Sequence, residues 1–373
     1  MKLLIFGMGD CGSRIAAEFS ELNKKAKLER RVQIVANSYA INNDQNALAQ
    51  LKTRYRELQT IFVNRILEDQ SARAGADVMR VEGGRVLTAI RPGDFYDTDA
   101  ILLVAGAAGN FGSGGVPVMA QQLKDRHVGK PIYALIALPF ATEADEPKFI
   151  YNTAICLKSI QKVTDAVFLV DNNKFKSGAG SSSGDMDELN KQIVFPFYDL
   201  LCASERIDPK YMGARTLGVG DMMQTLKGWT AIGMGTTDFQ VARSFWKSTP
   251  TFLDKGSETQ KATEAMNLAL GKLSIDFNLE DGRRAIYLLA IPAEGANVDM
   301  VKTLGNRLLE LTNNALIRGG DFHGVRNCAQ VTLVISDLSY LDIVKSYYDR
   351  ATSSTRTETS STKTATSPKK KKK

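Results

Sequence analysis

The sequence predicts an α/β protein whose first half is a parallel sheet covered by helices on both faces. Three observations carry that prediction. Apolar runs of strand length alternate with helical patterns through the first 170 or so residues, as parallel strands joined by crossover helices require. Two of those strands run directly into glycine loops that open helices, Gly7–Gly12 and Gly106–Gly115. Both loops fall at carboxyl ends of strands, where open parallel sheets bind their ligands.

Taken in order, Lys2–Phe6 reads as a strand. Gly7-Met8-Gly9-Asp10-Cys11-Gly12 follows, then a helix from about Ser13 to Leu22, with Ile15, Ala16, Phe19 and Leu22 on one face. This is GxGxxG between strand and helix, the dinucleotide fingerprint. The fingerprint also expects an acid closing the second strand. That strand reads as Val32–Ala36 and closes in Asn37-Ser38, which argues against an NAD-dependent oxidoreductase and leaves a phosphate-binding turn. Helical segments around 44–58 lead to Phe62-Val63 and a loop Ser71–Asp77, then a helix broken by Gly83-Gly84.

The central strand starts at Ile101 and passes into the loop Gly106–Gly115. A helix follows with Pro117 near its start. A buried strand, a glycine loop and a helix N-terminus together favour an anion. Pro131–Leu138 is a strand followed by the acids Glu143, Asp145 and Glu146. A helix over 147–162 precedes the strand Ala166–Val170, which ends in Asp171-Asn172-Asn173. Lys174–Gly184 is a Ser/Gly loop, and a long central helix runs from Asp185 to Ser204. A smaller α+β half follows, with strands at Trp229–Met234, Ala285–Ile291 and Val331–Ile335 and helices at 257–272, 297–313 and 339–349. The domains are therefore read as 1–184, the helix 185–205, 206–350 and a disordered basic tail 351–373.

Composition narrows the function classes. No apolar run reaches the roughly 18–20 residues of a membrane helix, and the chain opens straight into a strand, without a secretory leader. Cys11, Cys156, Cys202 and Cys328 are far apart, which fits neither a zinc site nor a disulfide framework and suggests a reducing cytoplasm. With only His127 and His323, a histidine metal site or triad is not expected. Six of the net seven positive charges belong to the tail, through Arg356, Lys363 and Lys369 to Lys373 against Glu358. Charge arguments therefore concern the tail. It suits an anionic membrane surface or nonspecific nucleic-acid phosphate contacts, or serves only as a solubilising end.

With these motifs assembled, the chain resembles the tubulin/FtsZ superfamily over residues 1–350, and within it the archaeal CetZ branch. Gly106, Ala107, Ala108, Gly109, Asn110, Phe111, Gly112 and Ser113 are similar to the GGGTGSGG-type phosphate loop. Gly7, Gly9, Asp10, Cys11 and Gly12 resemble the first loop, Asn37-Ser38 the second, and Arg73–Asp77, with Gly75, Ala76 and Asp77, the third. Leu138-Pro139 with Glu143 resembles the fifth loop and Asn172 lies in the sixth. Asp187–Asn190 resembles the segment whose Asn, here Asn190, reads guanine. Met186 stands where relatives stack an aromatic on the base. Ile317–Phe322 resembles a CetZ signature.

The resemblance implies a Rossmann-like GTPase domain that binds GTP or GDP, with or without Mg2+. It implies head-to-tail homopolymers in which the next subunit supplies acids to the nucleotide. Of two acids expected in that loop, Gly218 replaces one and Asp221 remains as the candidate catalytic residue. Phe111 replaces the phosphate-loop threonine, and Ala108 and Asn110 replace glycines. Slow or absent hydrolysis follows, unless another acid such as Asp208 substitutes. Asp10 either approaches metal and phosphate or caps the first helix. Cys11 is a buried small residue or a thiol. Glu143 competes with Asp145 and Glu146 for a ribose hydroxyl. A nucleotide-independent scaffold is the alternative reading, and an NAD enzyme the remote one.

Overall fold

A computed structural model describes residues 1–126, 129–175, 183–205, 211–238, 252–293, 298–323 and 327–364. His127, Asp208, Trp246, residues 176–182 of the Ser/Gly loop and the terminal lysines lie outside the described residues. In chain order the first half is β1 (Leu3–Met8), α1 (Gly9–Glu29), β2 (Val35–Asn42), α2 (Gln45–Arg54), β3 (Gln59–Phe62), α3 (Ala72–Thr88), α4 (Pro92–Tyr96), β4 (Ala100–Gly106), α5 (Asn110–Arg126), β5 (Ile132–Leu138), α6 (Pro147–Val163) and β6 (Ala166–Asp171). The second half is α7 (Ser183–Val194), α8 (Phe197–Ser204), α9 (Val219–Thr225), β7 (Gly228–Asp238), α10 (Phe252–Gly271), β8 (Arg284–Ile291), α11 (Val298–Leu311), β9 (Leu316–His323), β10 (Cys328–Leu338) and α12 (Asp342–Thr364).

The ten strands among the described residues form one sheet in the order β3-β2-β1-β4-β5-β6-β7-β10-β8-β9. Pairing is parallel from β3 to β7, antiparallel on both sides of β10, and parallel again between β8 and β9. The two halves therefore share a sheet, joined where Ala166, Val167 and Phe168 pair with Gly228, Trp229 and Thr230. Side chains alternate across it. Leu4, Phe6, Ile101, Leu103, Ile132 and Ala134 belong to one core with α3, α5, α6 and α10. Their neighbours Leu3, Ile5, Leu102, Val104, Tyr133 and Leu135 belong to the other, with α1, α7 and α8.

Several sequence expectations need correction. The second strand ends at Asn42, not at Ala36. α1 begins at Gly9, and α3 runs unbroken through Gly83-Gly84. Residues 72–77 are the opening of α3, not a loop. The long central helix is two, because Pro196 at the joint has no N–H to continue the ladder. Residues 316–323 form the strand β9, which the CetZ-like signature concealed. α12 continues to Thr364, past Ala351 where disorder was expected. Its Ser/Thr run lowers helix propensity but holds no Gly or Pro before Pro368.

One buried charge sits under the first helix. Glu18 of α1 is buried and accepts from the Tyr55 hydroxyl. Burial pushes its carboxyl above the ordinary 4.5, outweighing the lowering by that hydrogen bond. The folded state therefore holds this proton more tightly than the unfolded chain. That contribution is complete below about pH 4.5 and is lost as pH rises through the raised folded value. Glu18→Gln should remove this loss while keeping an acceptor for Tyr55. Urea midpoints of the two proteins should be close near pH 4.5 and separate in favour of the variant toward pH 7.

Candidate functional site

The carboxyl ends of β1, β2 and β4 meet at one mouth. The register sets Met8 beside Ile41 on one side and Ala105 on the other. A cavity of about 420 Å³ opens there, lined by Met8–Cys11, Asn42–Asp44, Leu67, Gly106 and Gly109–Gly112. α1 and α5 both start in its wall. α2 and α3 begin on capping side chains, Asp44 and Ser71, but no side chain caps α1. At α5 the Phe111 N–H is taken by its own neighbour, the Asn110 Oδ1, at 2.8 Å. The open first-turn N–H groups and the helix dipoles make this mouth suit an anion.

Glycine makes the convergence possible. Gly9 adopts φ of +70°, in the left-handed region, where strand turns into helix. A Cβ on Gly7 would strike the Gly12 carbonyl, and one on Gly12 the Val104 carbonyl. On the far side, Gly75 of α3 backs directly onto Asn110 and Phe111. Gly75 thus supports the cavity wall without reaching the cavity. Ala76 lies beside it in α3, and Asp77 pairs with Arg80 at the surface.

The expected residues divide into three groups. Gly9, Asp10, Cys11, Gly106, Gly109, Asn110, Phe111 and Gly112 line the cavity. Gly7, Gly12, Ala107, Ala108 and Ser113 stand behind them: Ala107 and Ser113 are buried, and the Ala108 carbonyl accepts from Asn152 at 3.0 Å. Phe111 is 2% exposed and belongs to the core, so its ring packs inward while its backbone faces the cavity. Met186 is half-buried and Asn190 buried on α7, which packs on α1 outside the cavity lining.

Asn37 is not at the mouth. It pairs with Leu4, near the start of β1, and donates to Asp94 at 2.9 Å. Sequence reading ended the strand six residues early, at Ala36 instead of Asn42. The Asx cluster Asn42-Asn43-Asp44, a turn signal in its own right, is what reaches the cavity. The argument against NAD that rested on Asn37 falls with it, and the second glycine loop remains. Asp10 is inside α1, so it is no cap; its Oδ1 accepts from Asn42 at 2.6 Å.

The neighbouring groups are also sorted. Burial, then the charges of Glu143 and Asp10, push the Cys11 thiol up to about 12, so it acts as a small neutral wall residue. Of the three acids after β5, Glu143 is the one felt at Cys11. Asp145 turns to Arg350 at 2.9 Å and Glu146 to Lys148 at 3.1 Å. Asn172, directly after β6, is 7% exposed, and its Oδ1 has no hydrogen-bond partner among the described residues.

Asp221 lies at the other end of the sheet. β7 starts at Gly228 beside Ala166, the first residue of β6, and α9 precedes it. A strand of this length separates the two ends by about 20 Å. Asp221 therefore cannot reach the cavity of its own chain. Its carboxylate accepts from Gly218 N at 3.0 Å and faces Arg318 at 3.5 Å. Asp321 of the CetZ-like signature is buried, and accepts from Ala214 N and Arg215 N at 2.9 and 2.6 Å. It holds the chain leading to α9.

Comparison with known proteins agrees with this architecture. Residues 2–179 match the family model described as Tubulin/FtsZ family, GTPase domain. Tubulin-like protein CetZ1 of Haloferax volcanii is 26% identical over 339 residues, covering 86% of this chain and 84% of that protein. The GTPγS-bound protofilament of Haloferax volcanii CetZ2 superposes with a TM-score of 0.79 at 23% identity, over 96% of this chain and 99% of that one. The empty FtsZ dimer of M. jannaschii gives 0.62 at 20% identity, over 91% and 88%.

Proposed function

We propose that this chain, which belongs to the tubulin/FtsZ superfamily, binds a guanine nucleotide and assembles head to tail into protofilaments, hydrolysing GTP slowly or not at all. The observation that carries the reading is the convergence of two helix N-termini on one glycine-lined cavity, with Asp221 at the opposite end of the sheet. In this reading the backbone around Gly9–Gly12 and Gly109–Gly112 holds the phosphates, with Glu143, Asn172, Met186 and Asn190 toward the nucleoside. The relative that superposes here is itself a protofilament carrying GTPγS. Stacking copies along the sheet direction brings Asp221 of one toward the cavity of the next. Hydrolysis needs a group that orients water at the terminal phosphate. With Gly218 in the loop, one carboxylate remains, and one of its oxygens accepts from Gly218 N.

The test is pelleting and phosphate release measured together with GTP, GDP and GTPγS. Pelleting with GTP and GTPγS and little phosphate release is expected. Asp221→Ala should then change turnover less than about twofold, while brisk release that collapses in this variant would sink the slow-hydrolysis reading. Pelleting indifferent to nucleotide would transfer the weight to a scaffold, a reading supported by Phe111, which sits in the core where the family loop has threonine.

A further inference from the structure

The cavity is short of positive charge. Among the described residues its lining holds two carboxylates, Asp10 and Asp44, and no lysine or arginine. Helix N-termini offer about half a unit charge each, while a nucleoside triphosphate brings several negative charges beside those acids. Arg14 on α1 is felt at Cys11, and further positive charge, from Mg2+ or from a neighbouring subunit, would favour such a ligand.

The opposite end of the sheet has guanidinium groups to offer. Arg284 opens β8 and Arg318 lies near the start of β9, both at the end where β7 begins. Arg284 is committed: it donates to the Gln224 carbonyl at 2.7 Å and faces Asp337 at 3.4 Å. Arg318 is loosely held, with Nε 3.5 Å from Asp221 and Nη2 3.5 Å from the Gln224 side chain. Its side chain and that of Asp221 are 35% and 38% exposed. A guanidinium on long contacts keeps most of its five donors for an incoming group, and its planar fork matches phosphate oxygens.

We propose that Arg318 reads the terminal phosphate of the nucleotide held by the next subunit, and so couples assembly to nucleotide state. The proposal rests on the nucleotide-bound, head-to-tail reading above. On junction formation the guanidinium exchanges its long contact with Asp221 for the phosphate; the surface pair it gives up is weak. In the closed junction, shielded from water, the phosphate contact is stronger than the same contact in solvent. A nucleotide lacking the terminal phosphate offers Arg318 no such partner, and the junction weakens.

The experiment uses the full chain with Mg2+ and compares critical concentrations for pelleting in GTPγS and in GDP. Monomer affinity for a fluorescent GTPγS analogue is measured separately, below the critical concentration. Wild type is expected to assemble at a concentration tenfold or more lower in GTPγS. Arg318→Gln should bring that ratio within about twofold of unity and leave monomer affinity unchanged, since the residue lies far from its own cavity. Arg318→Lys, which keeps the charge and loses the fork, should give an intermediate ratio. Arg283→Gln, at the same end but outside the Asp221 contact, should keep the wild-type ratio. A wild-type ratio surviving in Arg318→Gln would overturn the proposal, as would equal losses in Arg283→Gln or a ratio of one in wild type that binds nucleotide. If Arg318→Gln fails to fold by circular dichroism, an unreduced ratio in Arg318→Lys overturns it. Absent monomer binding would sink the nucleotide reading itself, and is read independently of Arg318.

Discussion

Gly114→Val should destabilise the protein by about 3 kcal/mol or more, because added core volume that meets backbone cannot be absorbed by rotamer changes. α5 crosses α3 where glycines let the two backbones touch. A Cβ at Gly114 would collide with the Ala72 carbonyl and sit 2.8 Å from the Ala76 nitrogen. Neither atom is the end of a flexible side chain. Relief requires the two helices to part, and Asn110–Phe111 in the cavity wall is carried by the same contact through Gly75. Gly84→Ala is the control. This residue sits in α3 with only the tip of Arg126 within reach, at 3.7 Å. There the gain in helix propensity, about 0.5–1 kcal/mol, should raise stability. Urea midpoints moving in opposite directions for the two variants are the expected result. Similar small shifts in both would mean that α3 and α5 do not interlock as described.

The same contrast explains what could be read from the sequence. Gly83, Gly84, Gly112, Gly114 and Gly115 all look like breakers, since each costs a helix about 1 kcal/mol relative to Ala. The strand–loop–helix alternation around them was legible because apolar runs and their period are local properties. Helix starts were not. α5 begins at Asn110 and carries Pro117 inside it because packing against α3 returns more than local propensity takes away. Pro196 was visible, but its flanks are so strongly helical that a single helix is the simpler reading.

The candidate site was legible in its glycine loops and misplaced at β2. Val32–Ala36 is the most apolar stretch near the second strand, yet the ladder with β1 runs from Val35 to Ile41 and carries Asn42–Asp44 to the mouth. The register of a parallel pair is fixed by the partner strand and the covering helices, which no window of sequence contains. The partners of the three acids after β5 had to come from three dimensions as well. Asp145 turns to Arg350 on α12 and Glu146 to Lys148, while Glu143 accepts from the Phe140 N–H at 3.2 Å.

Asp199→Ala should cost about 3–5 kcal/mol, the range for stranding one charge of a buried pair. Arg30 caps the end of α1, and its guanidinium lies 3.2 Å from Asp199 on α8, with side chains only 7% and 8% exposed. Gln330 of β10 donates to the second oxygen of the same carboxylate. The rings of Phe322, Tyr211 and Tyr198 surround the guanidinium at 4.4, 5.5 and 5.8 Å. One charge pair thus ties the first helix to the central helix and to both strands at the far side of the sheet. The Arg30 Nε and Nη1 have no hydrogen-bond partner among the described residues, so the pair is already imperfectly solvated by protein. Its net contribution should therefore be small even though breaking it is costly. Arg30→Met with Asp199→Leu is expected to lie within about 1 kcal/mol of wild type, since apolar replacement of a whole buried pair is often neutral or better. A double-mutant cycle in urea should give a coupling of about 2 kcal/mol or more. Additive losses would mean that Arg30 is held by its aromatic rings alone. The double variant should also pellet with GTPγS as wild type does, since the pair touches neither the glycine cavity nor Asp221. Loss of pelleting despite normal stability would show that the angle between the two halves is itself set by this charge pair.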